Sequence, residues 1–172
     1  HIRPLISLLK VIDNPAQDIY LAAAMLGPVF GFTDDDLVRL RAQSAALQKE
    51  QNAGNAGKPA RMSLYGALLL ARQGPAEDPF TQTVNDFYDK LTALRQMARS
   101  VPAEQLLEEI FATTGYLAAL GVTENGARRR EDARRFASFC AASGAGGISA
   151  LVRAIDAAAL AGSTGQDTPP GG

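Results

Sequence analysis

Five guanidinium groups fall within eight residues at Arg128, Arg129, Arg130, Arg134 and Arg135, the one marked charge concentration in the sequence. Guanidinium groups bind phosphate as two-pronged donors, so this run is where backbone-directed contact with a nucleic acid could be made. Glu131 and Asp132 interrupt it, and the pairs Arg128/Asp132 and Glu131/Arg135 stand at i, i+4, the spacing of a self-neutralised solvated helix face. Ala133, Phe136, Ala137 and Cys140 form an apolar stripe whose extension back by one turn reaches Arg129 and Arg130. Those two are expected to make structural hydrogen bonds at the stripe's edge, leaving Arg128, Arg134 and Arg135 for phosphate.

A second candidate is the short apolar loop from Gly27 to Phe32, ahead of Thr33. Its glycines, Gly27 and Gly31, and the helix start at Thr33 could bring backbone amides close to a phosphate. The competing reading is a hydrophobic staple from Phe32 to Leu37 or its neighbours, which fixes the angle at which the chain approaches the helix. Asp34, Asp35 and Asp36 would repel phosphate there; they suit the positive end of a helix dipole.

Catalytic constellations are scarce. The sole histidine is His1, which removes Ser/His/Asp triads, Cys/His dyads and multi-histidine metal sites. Cys140 is the single cysteine, so no intramolecular disulfide can form, and it reads as a small core residue. Asp34, Asp35 and Asp36 project about 100° apart on a helix and cannot converge on one ion unaided. Glu108 and Glu109 fail for the same reason. Gly54 to Lys58 has only Asn55 and Ala56 between its glycines and Pro59 after the lysine, unlike a phosphate loop, and reads as a linker. No catalytic residue, metal ligand or bound cofactor is therefore assigned.

The elements that must position these residues are helical. There are 31 Ala and 20 Leu against 14 Ile plus Val, a balance that favours helix over sheet. Leu5, Leu8, Leu9 and Ile12 repeat as one buried face after Pro4. Asn14 is expected to cap the next helix, with Pro15 at its first position and Ile19, Ala22, Ala23 and Leu26 buried. Thr33 is expected to cap a third helix carrying Leu37, Leu40, Ser44 and Leu47, which fades into a linker from Asn52 to Pro59. Leu64 to Arg72 is a short apolar helix.

Val84, Phe87, Tyr88, Leu91, Leu94 and Ala98 give the longest periodic stripe, from Phe80 to about Arg99. Leu106, Leu107, Ile110 and Phe111 follow Pro102 and stop at Gly115; Tyr116 to Leu120 is a helical turn. Thr123 is expected to cap a helix to about Ala142, and Ile148, Leu151, Val152, Ile155 and Ala159 build the last one. The expectation is an all-α domain of about seven to eight helices over residues 1–161, with a flexible tail at 162–172.

Seventeen basic against eighteen acidic residues leave a net charge of −1, so any affinity for polyanions must be local. No apolar run of membrane-spanning length and no secretory signal pattern occurs. A cytoplasmic location is expected. The absence of a starting Met is what an excised piece of a longer chain would show.

Leu8-Leu9-Lys10-Val11-Ile12-Asp13-Asn14-Pro15, then Asp18-Ile19, then Gly27 through Leu37, resembles the region after the fourth helicase motif in AddA/RexA-type ATP-dependent helicase/nuclease subunits. UvrD and PcrA helicases show a more distant form of the pattern. Thr114-Gly115-Tyr116 and Gly126 through Asp132 are similar to the family's second landmark, a turn followed by an Arg-x-x-Asn helix, with Asp132 in place of the Asn. The resemblance runs from about Ile2 to Ala161. It marks Asn14, Pro15, Asp18, Arg129 and Asp132 as the structural motif.

The resemblance implies a 2B-like accessory domain, an all-α insertion in the second motor domain that flanks duplex DNA and packs on the motor. The Walker motifs, ATP, Mg and the nuclease site would belong to the rest of the parent enzyme, which acts in double-strand-break repair and recombination with an AddB or RexB partner. Gly27, Gly31 and Thr33 occupy the place of a loop that touches duplex backbone in related helicases. The other reading is a protein–protein scaffold that meets the motor or partner subunit without touching DNA.

Overall fold

The computed structural model describes residues 2–51 and 62–164. The Asn52 to Pro59 linker, its Gly54 to Lys58 segment, the Leu47 side chain and His1 lie outside the described residues. The described chain is all-α, without strands: α1 (Arg3–Asp13), α2 (Asp18–Met25), α3 (Asp34–Gln51), α4 (Leu64–Ala71), α5 (Pro79–Met97), α6 (Ala103–Thr114), α7 (Tyr116–Gly121), α8 (Gly126–Ala142) and α9 (Ile148–Thr164). Nine helices stand among the described residues, above the expected seven to eight, because Tyr116–Gly121 is a helix of its own. α9 continues past Ala161 to Thr164, and residues 165–172 lie outside the described part.

The centre of the molecule is α1, buried nearly all round at Leu5, Ser7, Leu8, Leu9, Lys10, Val11 and Ile12, and packed against α2, α5 and α9. A helix surrounded in this way must satisfy its polar groups internally. Lys10, only 8% exposed, does so through the Asp156 carboxylate at 2.6 Å and the Tyr20 hydroxyl at 3.0 Å. Ile12's carbonyl near the end of α1 accepts from Arg95 Nε of α5 at 3.1 Å.

The expected start of α2 is corrected. Asn14 caps the end of α1, its amide donating to Lys10 O, and its Oδ1 accepts from the Ala16 amide in a tight turn. The helix begins only at Asp18, so its buried face is Leu21, Ala24 and Met25, while Ile19 is 77% and Leu26 41% exposed. The physical reason is the side-chain bond at Asn14: it turns the chain at Pro15 instead of feeding it straight into a helix.

Thr123 is corrected likewise. Its hydroxyl donates to Leu120 O at 2.7 Å, and α8 starts three residues later, after Asn125 in the left-handed region at φ 58°. The stripes expected on α5 and α6 hold: Val84, Phe87, Leu91 and Leu94 are buried on one, Leu106, Leu107 and Ile110 on the other. Gly115, at φ 64°, ends α6 in a conformation that favours glycine. On α9, Leu151 and Ile155 are buried, whereas Ala159 is exposed.

Candidate functional site

The Gly27–Thr33 loop is anchored from both sides of its apolar centre. Phe30 and Phe32 turn inward onto Phe87 of α5, with ring centroids 4.8 and 5.7 Å apart and near-perpendicular planes. Phe32 is buried in the apolar core, and Leu37 packs against that core partly buried. Thr33 and Asp36 then form a reciprocal cap: the Asp36 amide donates to Thr33 Oγ1 at 3.2 Å, and the Thr33 amide and hydroxyl both donate to Asp36 Oδ2 at 2.8 Å. Asp36 thus does more than offset the helix dipole.

This geometry assigns the loop's donors. The Gly27 amide donates to Ala24 O at 3.1 Å, and a Cβ on Gly27 would meet that oxygen at 2.9 Å and Pro4 Cβ at 3.3 Å. Gly27 is a close-packing glycine. Gly31 is exposed, at φ 71°, with nothing within 4 Å of where a Cβ would sit, and is the open point of the loop. Thr33's donors serve Asp36.

On α8 the side chains divide as the stripe dictates. Ala133, Phe136 and Cys140 are buried, and Arg129 and Arg130 are half-buried at the stripe's upper edge. Arg128, Arg134 and Arg135 are exposed. Of the two i, i+4 pairs, only Glu131–Arg135 forms among the described residues, at 3.1 Å; Arg128 and Asp132 do not pair. Arg130 lies over Gly121, where a Cβ would come within 3.3 Å of Nη1. Arg129 departs from its expected bonding role: its Nε is buried without an acceptor, the one such side-chain atom among the described residues.

The fold brings part of the loop to part of the arginine helix. Pro4, Leu26, Gly27, Pro28, Leu120, Thr123 and Arg129 line a cleft of about 250 Å³. Gly31 and Thr33 lie outside that lining, as do Arg128, Arg134 and Arg135. Asp132 lines a separate, shallower depression with Ile2, Arg135 and Phe136.

The Asn14-Pro15-x-x-Asp18 corner is a junction. Asp18 accepts from Arg41 Nη2 of α3 at 2.6 Å and from the Leu64 amide opening α4 at 2.7 Å, so one carboxylate ties three helices. Arg41 was not legible as its partner, since 23 residues separate them. Tyr116 of the Thr114-Gly115-Tyr116 turn is buried and hydrogen-bonds the Leu5 backbone in the first turn of α1; burial pushes its hydroxyl up to about 12. Burial likewise pushes the Cys140 thiol up to about 11, away from the range of a reactive thiolate.

Among the described residues no three His, Cys, Asp or Glu side chains gather as a metal site, and no helix is long and apolar enough to cross a membrane. Fold and site together define an all-helical domain held by a buried central helix, with a basic helix face and a capped apolar loop on its surface.

No family profile matches the chain. It is 31% identical over 133 residues to the A-subunit of the ATP-dependent helicase/nuclease of Thermoanaerobacter sp. (strain X514), covering 77% of this chain and 9% of that protein. The protein of the same description from Exiguobacterium sibiricum is 35% identical over 130 residues, 76% of this chain and 10% of its own length. The exonuclease/helicase subunit RexA of Lactococcus lactis subsp. cremoris (strain MG1363) is 26% identical over 161 residues, 88% of this chain and 12% of its own. The chain thus fits one segment of the AddA/RexA-type helicase/nuclease subunits, and it spans about a tenth of the length of these relatives.

Proposed function

We propose that this chain is the 2B-like accessory domain of an AddA/RexA-type helicase/nuclease, flanking duplex DNA and packing on the motor domains of a parent enzyme that acts in double-strand-break repair in the cytoplasm. The observation that carries the reading is the exposed basic face of α8, on a domain whose sequence matches these subunits over most of its length. Arg128 and Arg134 are exposed and form no ion pair among the described residues, so their guanidinium groups are available to phosphate without first breaking a bond. Arg135 contributes after releasing Glu131, an exchange that costs little at an exposed i, i+4 pair. Gly31 offers the open backbone of the neighbouring loop. The domain itself performs no chemistry; ATP and Mg would be used by the motor, and an AddB/RexB-like subunit would complete the complex.

The test is fluorescence anisotropy of a labelled duplex with a single-stranded tail, titrated with this chain at low and then moderate salt. Sequence-independent binding that weakens steeply with salt is expected. Absence of binding at low salt would overturn direct DNA contact and move the function to a protein scaffold. The exposure of Val122 and Phe139, at 90% and 45%, favours that second reading, because large apolar side chains suit a protein surface better than a phosphate backbone.

A further inference from the structure

Cations that act together on a polyanion need to share a surface, not a stretch of chain. The start of α1 adjoins α8: Ile2 lines a shallow depression with Asp132, Arg135 and Phe136, and Pro4 lines a cleft with Arg129. Both neighbours of Arg3 therefore border the arginine helix. Arg128, at i−4 from Asp132 and i−7 from Arg135, stands on the same side of α8 as those two. Arg3 itself is exposed and forms no ion pair among the described residues. Helix stability does not account for it, because a cation in the first turn opposes the helix dipole, and no acidic residue in that turn of α1 offsets it.

We propose that Arg3 is a phosphate ligand, so that the duplex-facing surface runs from α8 onto the first turn of α1. This rests on the reading of the domain as one that flanks duplex DNA. On the side of α8 toward α1, Arg128 and Arg135 are offset by Glu131 and Asp132, and Arg3 tips the local balance to positive. On another side α8 shares a groove with α6, where the exposed Glu104 and Glu108 lie across from Ala137 and Ser138, a charge that disfavours a polyanion. The contact falls to the Arg3 guanidinium and not to helix amides, since Pro4 has none and Tyr116 engages the Leu5 backbone. Phosphates repeat regularly along a strand, so guanidinium groups on two adjoining helices can each take a separate phosphate of one backbone.

The test is fluorescence anisotropy of a labelled duplex with a single-stranded tail, titrated over a range of salt with this chain and with its Arg3→Ala, Arg3→Lys, Arg128→Ala and Arg153→Ala variants. Arg3→Ala should weaken binding about as much as Arg128→Ala and lower the slope of log affinity against log salt by about 0.9, the contribution of one phosphate. Arg3→Lys should keep the slope, because lysine neutralises the same charge. Arg153 is exposed on α9, a helix joined to the other half of α1 through Lys10 and Asp13, so Arg153→Ala removes one charge away from the proposed surface. Unchanged affinity and slope in Arg3→Ala, beside a weakened Arg128→Ala, would overturn the assignment and leave the DNA contact of α8 standing. A loss in Arg153→Ala as large as that in Arg3→Ala would also overturn it, as an effect of net charge alone. Absence of binding by the unmodified chain would remove the underlying reading and this inference with it. Should Arg3→Ala lose helicity by circular dichroism, Arg3→Gln takes its place with the same expectations.

Discussion

Lys10 and Asp156 meet at 2.6 Å across 146 residues of chain, joining the central helix to the last one. Burial alone would lower the Lys10 pKa, but the hydrogen bonds to Asp156 and Tyr20 outweigh it and hold the ammonium above its ordinary 10.5. Tyr20 also lies under the ammonium, with its ring centroid 4.2 Å away. The pair converts a buried charge from a liability into a tether.

Asp156→Asn should therefore cost about 1–2 kcal/mol near neutral pH, since Lys10 keeps only the Tyr20 oxygen as a full partner. Urea unfolding monitored by circular dichroism checks this. Because the folded-state pKa of Lys10 is raised, its stabilising contribution is complete below pH 10.5 and declines as pH climbs through the folded value. The Asn variant should lose that part of the alkaline decline.

Cys140 makes a separate alkaline prediction. Its thiol is held neutral by burial, with the pKa raised from 9.0 to about 11. The folded state thus keeps a proton that the unfolded chain releases, so stability is present below pH 9 and falls between 9 and 11. Cys140→Ala should flatten that interval by on the order of 2 kcal/mol relative to the unmodified protein, read as melting temperature against pH. An aromatic disulfide reagent at pH 8 should react with Cys140 only at the rate of opening or unfolding.

Thr33→Ala removes one half of the reciprocal cap at α3 and leaves the Asp36 amide without its acceptor. A loss of about 1 kcal/mol is expected, with faster amide exchange confined to the first turn of α3. Asp36→Asn should cost less, since its amide oxygen can still accept from Thr33. A larger loss for Asp36→Asn than for Thr33→Ala would show that dipole charge, not the hydrogen-bonded cap, dominates this helix start.

Asp18→Ala strips Arg41 Nη2 and the Leu64 amide of one shared acceptor. About 1–2 kcal/mol of stability should go, discounted for the partial exposure of the carboxylate. Hydrogen exchange should locate the damage in α4, whose first turn then depends on Ser63 Oγ accepting from the Gly66 amide. Uniform acceleration across all helices would contradict a local junction.

Arg128→Ala with Arg134→Ala should weaken duplex binding and reduce the slope of affinity against salt by about one for each phosphate that is no longer neutralised. Both side chains are exposed, so melting temperature should hardly move. Adding Arg135→Ala breaks the Glu131 pair and should cost a further few tenths of a kcal/mol in helix stability, about the value of an exposed i, i+4 bridge. An unchanged salt slope in the triple variant would remove the arginines from the DNA interface.

Much of this architecture is legible in residue spacing alone. Periodic repeats at Leu5, Leu8, Leu9 and Ile12, and again from Val84 to Leu94, identify buried helix faces because a packed helix must keep its apolar residues on one side. Thr33 as a cap and Gly115 as a stop are equally local, each set by residues within a turn. The same locality explains the errors. Asn14 and Thr123 are competent caps, yet the Asn14 side chain closes a turn on the Ala16 amide ahead of α2 and the Thr123 hydroxyl donates back to Leu120 O, and the phase of α2 moves with the delayed start.

Residue types and their spacing thus determined the all-α class, the positions of most helices and the separation of α8 into buried and exposed faces, because those follow from propensity and period alone. Only tertiary structure decided which partners meet: Asp18 with Arg41 and Leu64, Lys10 with Asp156, Tyr116 with Leu5, and Arg129 with the Gly27 cleft. The physical reason is that a side chain's charge and reach are written at its own position, whereas its burial and its bonding partner depend on how distant helices pack.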